Sequence, residues 1–541
     1  MRIDFRRFRR SLAILLSAGA LLVFSGVAKA QAPTPPAPAA PKADQAADAA
    51  APASDFNYQA AKDKGDAALQ SGDYQTALSA FSSIVQNAQK VATSNEDLQT
   101  MGLVGIVGTG RALMGLKEYD AALDAYKQVL DSDPNNPRVL IARGTLYLEM
   151  NQPDSALADF QLASKAERGN LEAMFGLGKA LVTLGRAEEG ITPLTHVITA
   201  DPKNAEAFRL RGTGYAGQFK TKKAIEDLQQ AIALNPDDYE SYATLGIVHL
   251  RAEEFQDAVD QFTKAIEHYK PKAGQEDVPY LQGYLTLATA YTELGKNSKD
   301  EAVSKAAYKS AVAECEKVLT QLDAKNPTHA QARAAAIYSR GVAERMQGEL
   351  VPAIKSFTEA LELNPELGDA YFRRGICFHK LGEDKMAILD FERAAHIPPY
   401  DDPRYNLWAG LTYAKMGEYH KALRSYGDAI AASDRYTPAY YNRGLTYMML
   451  GDYEKAVADF NESIRLSPNK AEYYFKRGVA LEKMRDYKKA SESFATAIEF
   501  DAKHAGAYHH MADVLTSLGQ TELATQYKQK ADQLAPPKAT K

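Results

Sequence analysis

The chain has 541 residues, of which 45% are hydrophobic and 25% charged, with a formal charge of −5 and two cysteines. Residues 1–30 carry six positive groups and one negative, so without them the charge falls from −5 to −10. That balance disfavours general nucleic-acid binding, which needs an excess of Lys and Arg against phosphates. Cys315 and Cys377 lie a full helical hairpin apart and read as small core residues rather than a disulfide.

The first 30 residues have the form of an export signal. Arg6, Arg7, Arg9 and Arg10 precede an apolar run from Leu12 to about Val27, and Ala28-Lys29-Ala30 offers small residues before Gln31. Cleavage after Ala30 and a periplasmic or secreted mature protein are expected; an uncleaved anchor is the alternative. Arg9-Arg10 also hints at twin-arginine export, in a poorly matching context. Residues 31–54 are almost entirely Ala, Pro, Gln, Asp and Lys, too polar and small to bury a core, so 31–57 is expected to be a disordered linker.

From residue 58 the chain reads as helical hairpins. Glycine returns every 34 residues, at Gly110, Gly144, Gly178, Gly212 and Gly246 and again at Gly341, Gly375, Gly410, Gly444 and Gly478, the second series slipping by one at Gly410. A period of that length marks a stacked array. Glycine costs a helix about 1 kcal/mol relative to alanine, so its recurrence in one phase marks a place with no room for a side chain. Twelve residues on stand Ala122, Ala156, Gly190, Ala224, Ala258, Ala353, Ala387, Ala422, Ala456 and Ala490, and four further on large residues such as Tyr126, Phe160, Phe262, Phe357 and Phe494 are expected to fill the gap between repeats. Prolines at 134, 202, 236, 365, 399 and 468 end the second helices.

Between Gly246 and Gly341 the array carries 27 residues beyond two periods. Pro271 to Asp277 reads as a polar loop, Lys296 to Glu301 as a lengthened turn, and Ala302 to Leu322 as one long helix. A shorter excess before Gly110 predicts a longer helix and loop across 85–102. In the last repeat Lys528 replaces the aromatic of its predecessors, as suits a terminal hairpin that nothing covers.

Stretches such as Ala439 to Phe460 (AYYNRGLTYMMLGDYEKAVADF) closely match the tetratricopeptide repeat signature. The chain therefore resembles that family, and an exported bacterial type of it. About thirteen repeats are readable: 58–91, 103–136, 137–170, 171–204, 205–238, 239–272, an irregular one near 278–324, then 334–367, 368–401, 403–436, 437–470, 471–504 and 505–538. The resemblance implies an all-α right-handed superhelix, or solenoid, with a concave groove for partner proteins or peptides. The array divides into an N-terminal block over 58–272, an irregular repeat with insertion over 273–333, and a C-terminal block over 334–538 with its cap.

Little catalytic chemistry is legible. Gly102, Gly105, Gly108 and Gly110 lack the strand and Lys-Ser/Thr of a phosphate loop. Asp131 to Pro137 lacks the glycine and glutamate of a calcium loop. His509 and Asp513, with His510 and His504 near, are too few to argue a metal centre. No catalytic set, cofactor or metal is expected, and the chain reads as a non-enzyme. The residues singled out lie on the first helices of the C-terminal block. Three before each glycine come Tyr338, Phe372, Leu407, Tyr441 and Phe475; one after come Val342, Ile376, Leu411, Leu445 and Val479. Four apart, the two sets share a helix face. In the family the inner face of first helices contacts ligands, so the resemblance makes them an apolar ladder for a peptide, with simple packing as the alternative. The Lys/Asn clamp by which some members hold a C-terminal carboxylate is not evident. Arginines before the glycine (Arg211, Arg340, Arg374, Arg443, Arg477) are expected to run their stems along the hairpin. The functional expectation is an exported scaffold for protein–protein interaction, with no nucleic acid and no stable membrane insertion. Its alternatives are a regulatory or positioning subunit of a cell-envelope enzyme, secretion or outer-membrane assembly complex, or an enzyme with its site in 273–333.

Overall fold

The computed structural model describes residues 56–271, 280–398 and 402–534. The expected signal, most of the linker and most of the polar loop after Pro271 lie outside the described residues. Among those described, every regular element is helical: 26 α-helices and one 3₁₀ turn at Pro327–His329. They fall into two compact units, one ending at Ala290 and the other starting at Tyr291.

In the first unit the helices pair as Tyr58–Ser71 with Tyr74–Val91, Asn95–Gly115 with Tyr119–Leu130, Pro137–Glu149 with Pro153–Ala166, Leu171–Thr183 with Ile191–Ala200, Ala205–Gly217 with Thr221–Leu234, and Tyr239–Arg251 with Phe255–His268. The excess before Gly110 lengthens the helices Tyr74–Val91 and Asn95–Gly115 and leaves only residues 92–94 between them, so no long loop forms there. Leu281–Asn297 contains the division between the units. The second unit continues with Glu301–Gln321, the long helix expected from the insertion. It then pairs Ala330–Gln347 with Leu350–Leu363, Gly368–Leu381 with Asp384–Ala395, Pro403–Lys415 with Tyr419–Ala432, Thr437–Leu450 with Tyr453–Leu466, Ala471–Lys483 with Tyr487–Phe500, and Ala505–Ser517 with Thr521–Leu534.

Local chemistry sets these boundaries. Asn136, Asn170 and Asn204 each accept a hydrogen bond from the backbone N–H three residues on, satisfying a donor that the helix start leaves free. Seven residues after the repeat glycine the chain turns through a left-handed residue, glycine at 185, 348, 382, 417 and 451, and Gly519 does the same seven after Ala512. Lys117, Asn151, Phe219, Glu253 and Arg485 take the same conformation without being glycine.

The repeat glycine is explained by a ring. A Cβ on Gly110, Gly144, Gly246, Gly341, Gly375, Gly410, Gly444 or Gly478 would lie 2.4 to 3.0 Å from the aromatic side chain sixteen residues later, and Leu194 and Leu228 occupy that place against Gly178 and Gly212. Phe160, Phe262, Phe357, Phe391, Phe460 and Phe494 are at most 1% exposed there. The close approach is thus mainly backbone to ring, with backbone to backbone added where Gly190 meets Gly178.

The arginines before the glycine, whose stems were expected to run along the hairpin, find specific partners for their heads. They turn across the hairpin to the carboxylate sixteen residues on. Arg211 holds Asp227 through Nε and Nη2 at 2.7 and 2.8 Å, and Arg143, Arg374 and Arg443 hold Asp159, Asp390 and Asp459 in the same bidentate way. All four aspartates are buried. Ser356 and Ser493 replace the aspartate for Arg340 and Arg477. Three of these arginines also reach backwards by sixteen residues: Arg211 donates to Thr195, Arg374 to Thr358 and Arg477 to Asn461.

Within each unit, successive first helices pack on one another, whereas among the described residues no successive second helices pack comparably. First helices therefore form the inner layer of each stack and second helices the outer. Lys528, in the last second helix, is exposed.

Candidate partner-binding face

The ladder residues of the second unit all lie on first helices, and the structure places the two sets differently. Phe372 and Leu407 are buried at 5% and 7% exposure, while Tyr338, Tyr441 and Phe475 are half-buried. Each aromatic leans on the ring that fills its own hairpin: Tyr338 on Phe357, Phe372 on Phe391, Tyr441 on Phe460 and Phe475 on Phe494, with centroids 5.9 to 6.0 Å apart. Each also meets the next repeat. Phe372 packs on Tyr405, Tyr441 on Tyr473, and Phe475 on His504. The second set, Val342, Ile376, Leu411, Leu445 and Val479, is half-buried in every repeat. It forms the apolar floor of the face.

The same first helices carry a set of charged groups that periodic reading missed. The Tyr338 hydroxyl donates to Asp369; Arg373 donates from Nε to the Tyr338 oxygen at 2.9 Å and to Asp369 at 2.5 Å. Arg404 pairs with Asp402 through Nε and Nη2 at 2.6 to 3.0 Å and sits 3.7 Å from Asp369, with its guanidinium 5.2 Å from the centre of the Phe372 ring. Burial pushes the Asp369 carboxyl up, but Arg373, the Tyr338 hydroxyl and Arg404 outweigh it and hold the carboxyl below the usual carboxylate range. Burial raises the Tyr338 phenol, which stays protonated. Further along, Tyr441 donates to Glu472 at 3.3 Å, Glu472 faces His504 at 3.4 Å, and His510 lies 2.7 Å from Glu482. These residues stand eight, six or two before the repeat's glycine position or four after it, phases in which side chains differ from repeat to repeat. The signal available in sequence was their charge on the ladder's helix face.

Among the described residues one trio, His249, Glu254 and Asp257, has its ligand atoms within 4.8 Å of one another. His249 Nδ1 lies 2.6 Å from Glu254 Oε2 and ties the hairpin turn. His509 and Asp513, weighed from sequence, are 3.7 Å apart and both more than half exposed. Cys315 and Cys377 are free, buried thiols. No helix of the described residues is long and apolar enough to cross a membrane.

Family profiles described as tetratricopeptide repeat match residues 113–160, 141–205, 209–276, 338–402, 437–470, 471–504 and 505–538, together more than half of the chain. The chain belongs to the tetratricopeptide repeat family. Among curated proteins, human tetratricopeptide repeat protein 6 is 27% identical over 194 residues, 36% of this chain and 32% of that protein. Hsp70-Hsp90 organizing protein 1 of Glycine max is 26% identical over 200 residues, 34% of each. The chain thus spans about a third of the length of these relatives. Similar solved structures include the Cut9-Hcn1 hetero-tetramer of APC/C, at 16% identity over 83% of this chain and 96% of that one with a TM-score of 0.32. YrrB, titled a TPR protein with an unusual peptide-binding site, is 22% identical over 34% of this chain and 95% of its own, with a TM-score of 0.31.

Proposed function

We propose that this TPR protein is an exported scaffold that binds a segment of another protein along the first helices of its C-terminal block. The observation that carries the reading is the apolar floor: Val342, Ile376, Leu411, Leu445 and Val479 keep part of their surface open in the same phase on successive, mutually packed helices. A row at that spacing suits an extended or helical segment that contacts several repeats. Relatives named for organising Hsp70 and Hsp90 fit a role in protein–protein interaction. Export rests on the basic and apolar composition of residues 1–30 and on Ala28-Lys29-Ala30.

A photo-reactive residue at Leu445 should cross-link the partner in intact cells. Tyr441→Ala should then weaken its binding by about 2 kcal/mol or more, in the range of an aromatic hot spot. Loss of thermal stability with unchanged affinity would make Tyr441 a packing residue only. Intact mass should show the mature protein starting at Gln31, and a full-length mass in the membrane fraction would reject cleavage. Stoichiometric co-purification with an envelope enzyme or assembly factor would instead mark a positioning subunit.

A further inference from the structure

Arg345 stands seven residues after Tyr338 and three after Val342, on the same face of the helix Ala330–Gln347. Its Nε is buried and has no hydrogen-bond partner, and Nη2 reaches only the Met346 sulfur at 3.2 Å. No carboxylate lies within 4.0 Å of it among the described residues, although the arginines around it all have one. The nearby acid, Asp369, is already engaged by Tyr338, Arg373 and Arg404. The neighbouring Cys377 supplies no anion either, since burial pushes its thiol up to about 11 and keeps it protonated at neutral pH. A guanidinium stays charged, and a buried donor left unpaired is unfavourable enough that native proteins nearly always supply it with a partner.

We propose that Arg345, with Arg373 near it, receives a glutamate or aspartate side chain from an acidic partner segment bound along the first helices. The inference rests on the groove reading above and adds the charge of what is bound. A single planar carboxylate matches the guanidinium fork. A polyanion is disfavoured by Asp369 and Asp402 within the same cluster and by the negative charge of the whole chain.

The probe is a fluorescein-labelled decapeptide of alternating Leu and Ser with one central Ser replaced by Glu and an amidated C-terminus, titrated by anisotropy against the full chain. It should bind at least about tenfold more tightly than the same peptide with Gln for Glu, and salt should reduce the difference. Arg345→Met should erase the preference. It should also raise the melting temperature of the free protein by about 2 °C or more, because an uncompensated cation gives way to an apolar side chain of similar length. Equal binding of the Glu and Gln peptides would overturn the charge assignment and leave the groove standing. A preference that persists in Arg345→Met, that requires a free C-terminus, or a lowered melting temperature would overturn it as well. Failure of both peptides together with no cross-link from Leu445 would remove the groove and this subsite at once.

Discussion

Tyr126 occupies the place that most hairpins give to phenylalanine, is fully buried against Gly110, and has no partner for its hydroxyl. A buried hydroxyl without a hydrogen bond is a net cost, so Tyr126→Phe should stabilise the protein by about 1 kcal/mol, read as a higher denaturation midpoint. Tyr426 sits in the same register but has Thr446 as a partner. Tyr426→Phe should bring no such gain. A second residue-scale expectation concerns Arg477, which reaches Ser493 at 3.1 Å and Asn461 at 2.9 Å where four other repeats supply a buried aspartate. Ser493→Asp should restore the bidentate pair and add about 1 kcal/mol. An unchanged or lower midpoint would mean that burying the new carboxylate outweighs its pairing.

At the scale of the helix, identical substitutions should have opposite signs. A methyl group on Gly478 would sit 2.5 Å from the enclosed Phe494 ring, and overpacking of this kind costs about 1–3 kcal/mol. Gly427, in the middle of Tyr419–Ala432, has nothing within 4 Å of an added Cβ. Gly427→Ala should therefore stabilise by up to about 1 kcal/mol, while Gly478→Ala destabilises; chemical denaturation of the two variants gives both signs. The hairpins themselves could be read from the sequence because every repeat shares the glycine, the small residue and the ring, and sharing is what periodicity detects. The arginine-to-aspartate crossing was not, because its acidic partner gives way to Ser356 and Ser493 and so blurs the pattern. The charged set around Asp369, Arg373 and Arg404 was missed for a deeper reason. Those positions differ between repeats, so a search for what recurs discards them. The ladder aromatics show the complementary limit: their helix face could be assigned, but only coordinates reveal that each also leans on a ring of its own hairpin.

Over the whole molecule, a repeat array draws its stability from nearest neighbours, and this one forms two compact units. Calorimetry should resolve two transitions. Phe160→Ala should lower one and Phe391→Ala the other, each by the few kcal/mol expected for a fully buried aromatic. Equal displacement of a single transition by both variants would mean that the units unfold together. Trypsin should cut early at Lys299, exposed in the short turn between Leu281–Asn297 and Glu301–Gln321. The backward reach of the arginines has a mechanical meaning. Where Arg374 grips Thr358 or Arg477 grips Asn461, a strap runs between neighbouring hairpins and shares any load applied along the stack. Sixteen residues before Arg443 stands Gly427, which has no side chain to grip. Under tension the joint ahead of residue 437 goes without an arginine strap and is held by packing and by the contact of Tyr426 with Thr446, so a partner that pulls on the second unit would load its joints unequally.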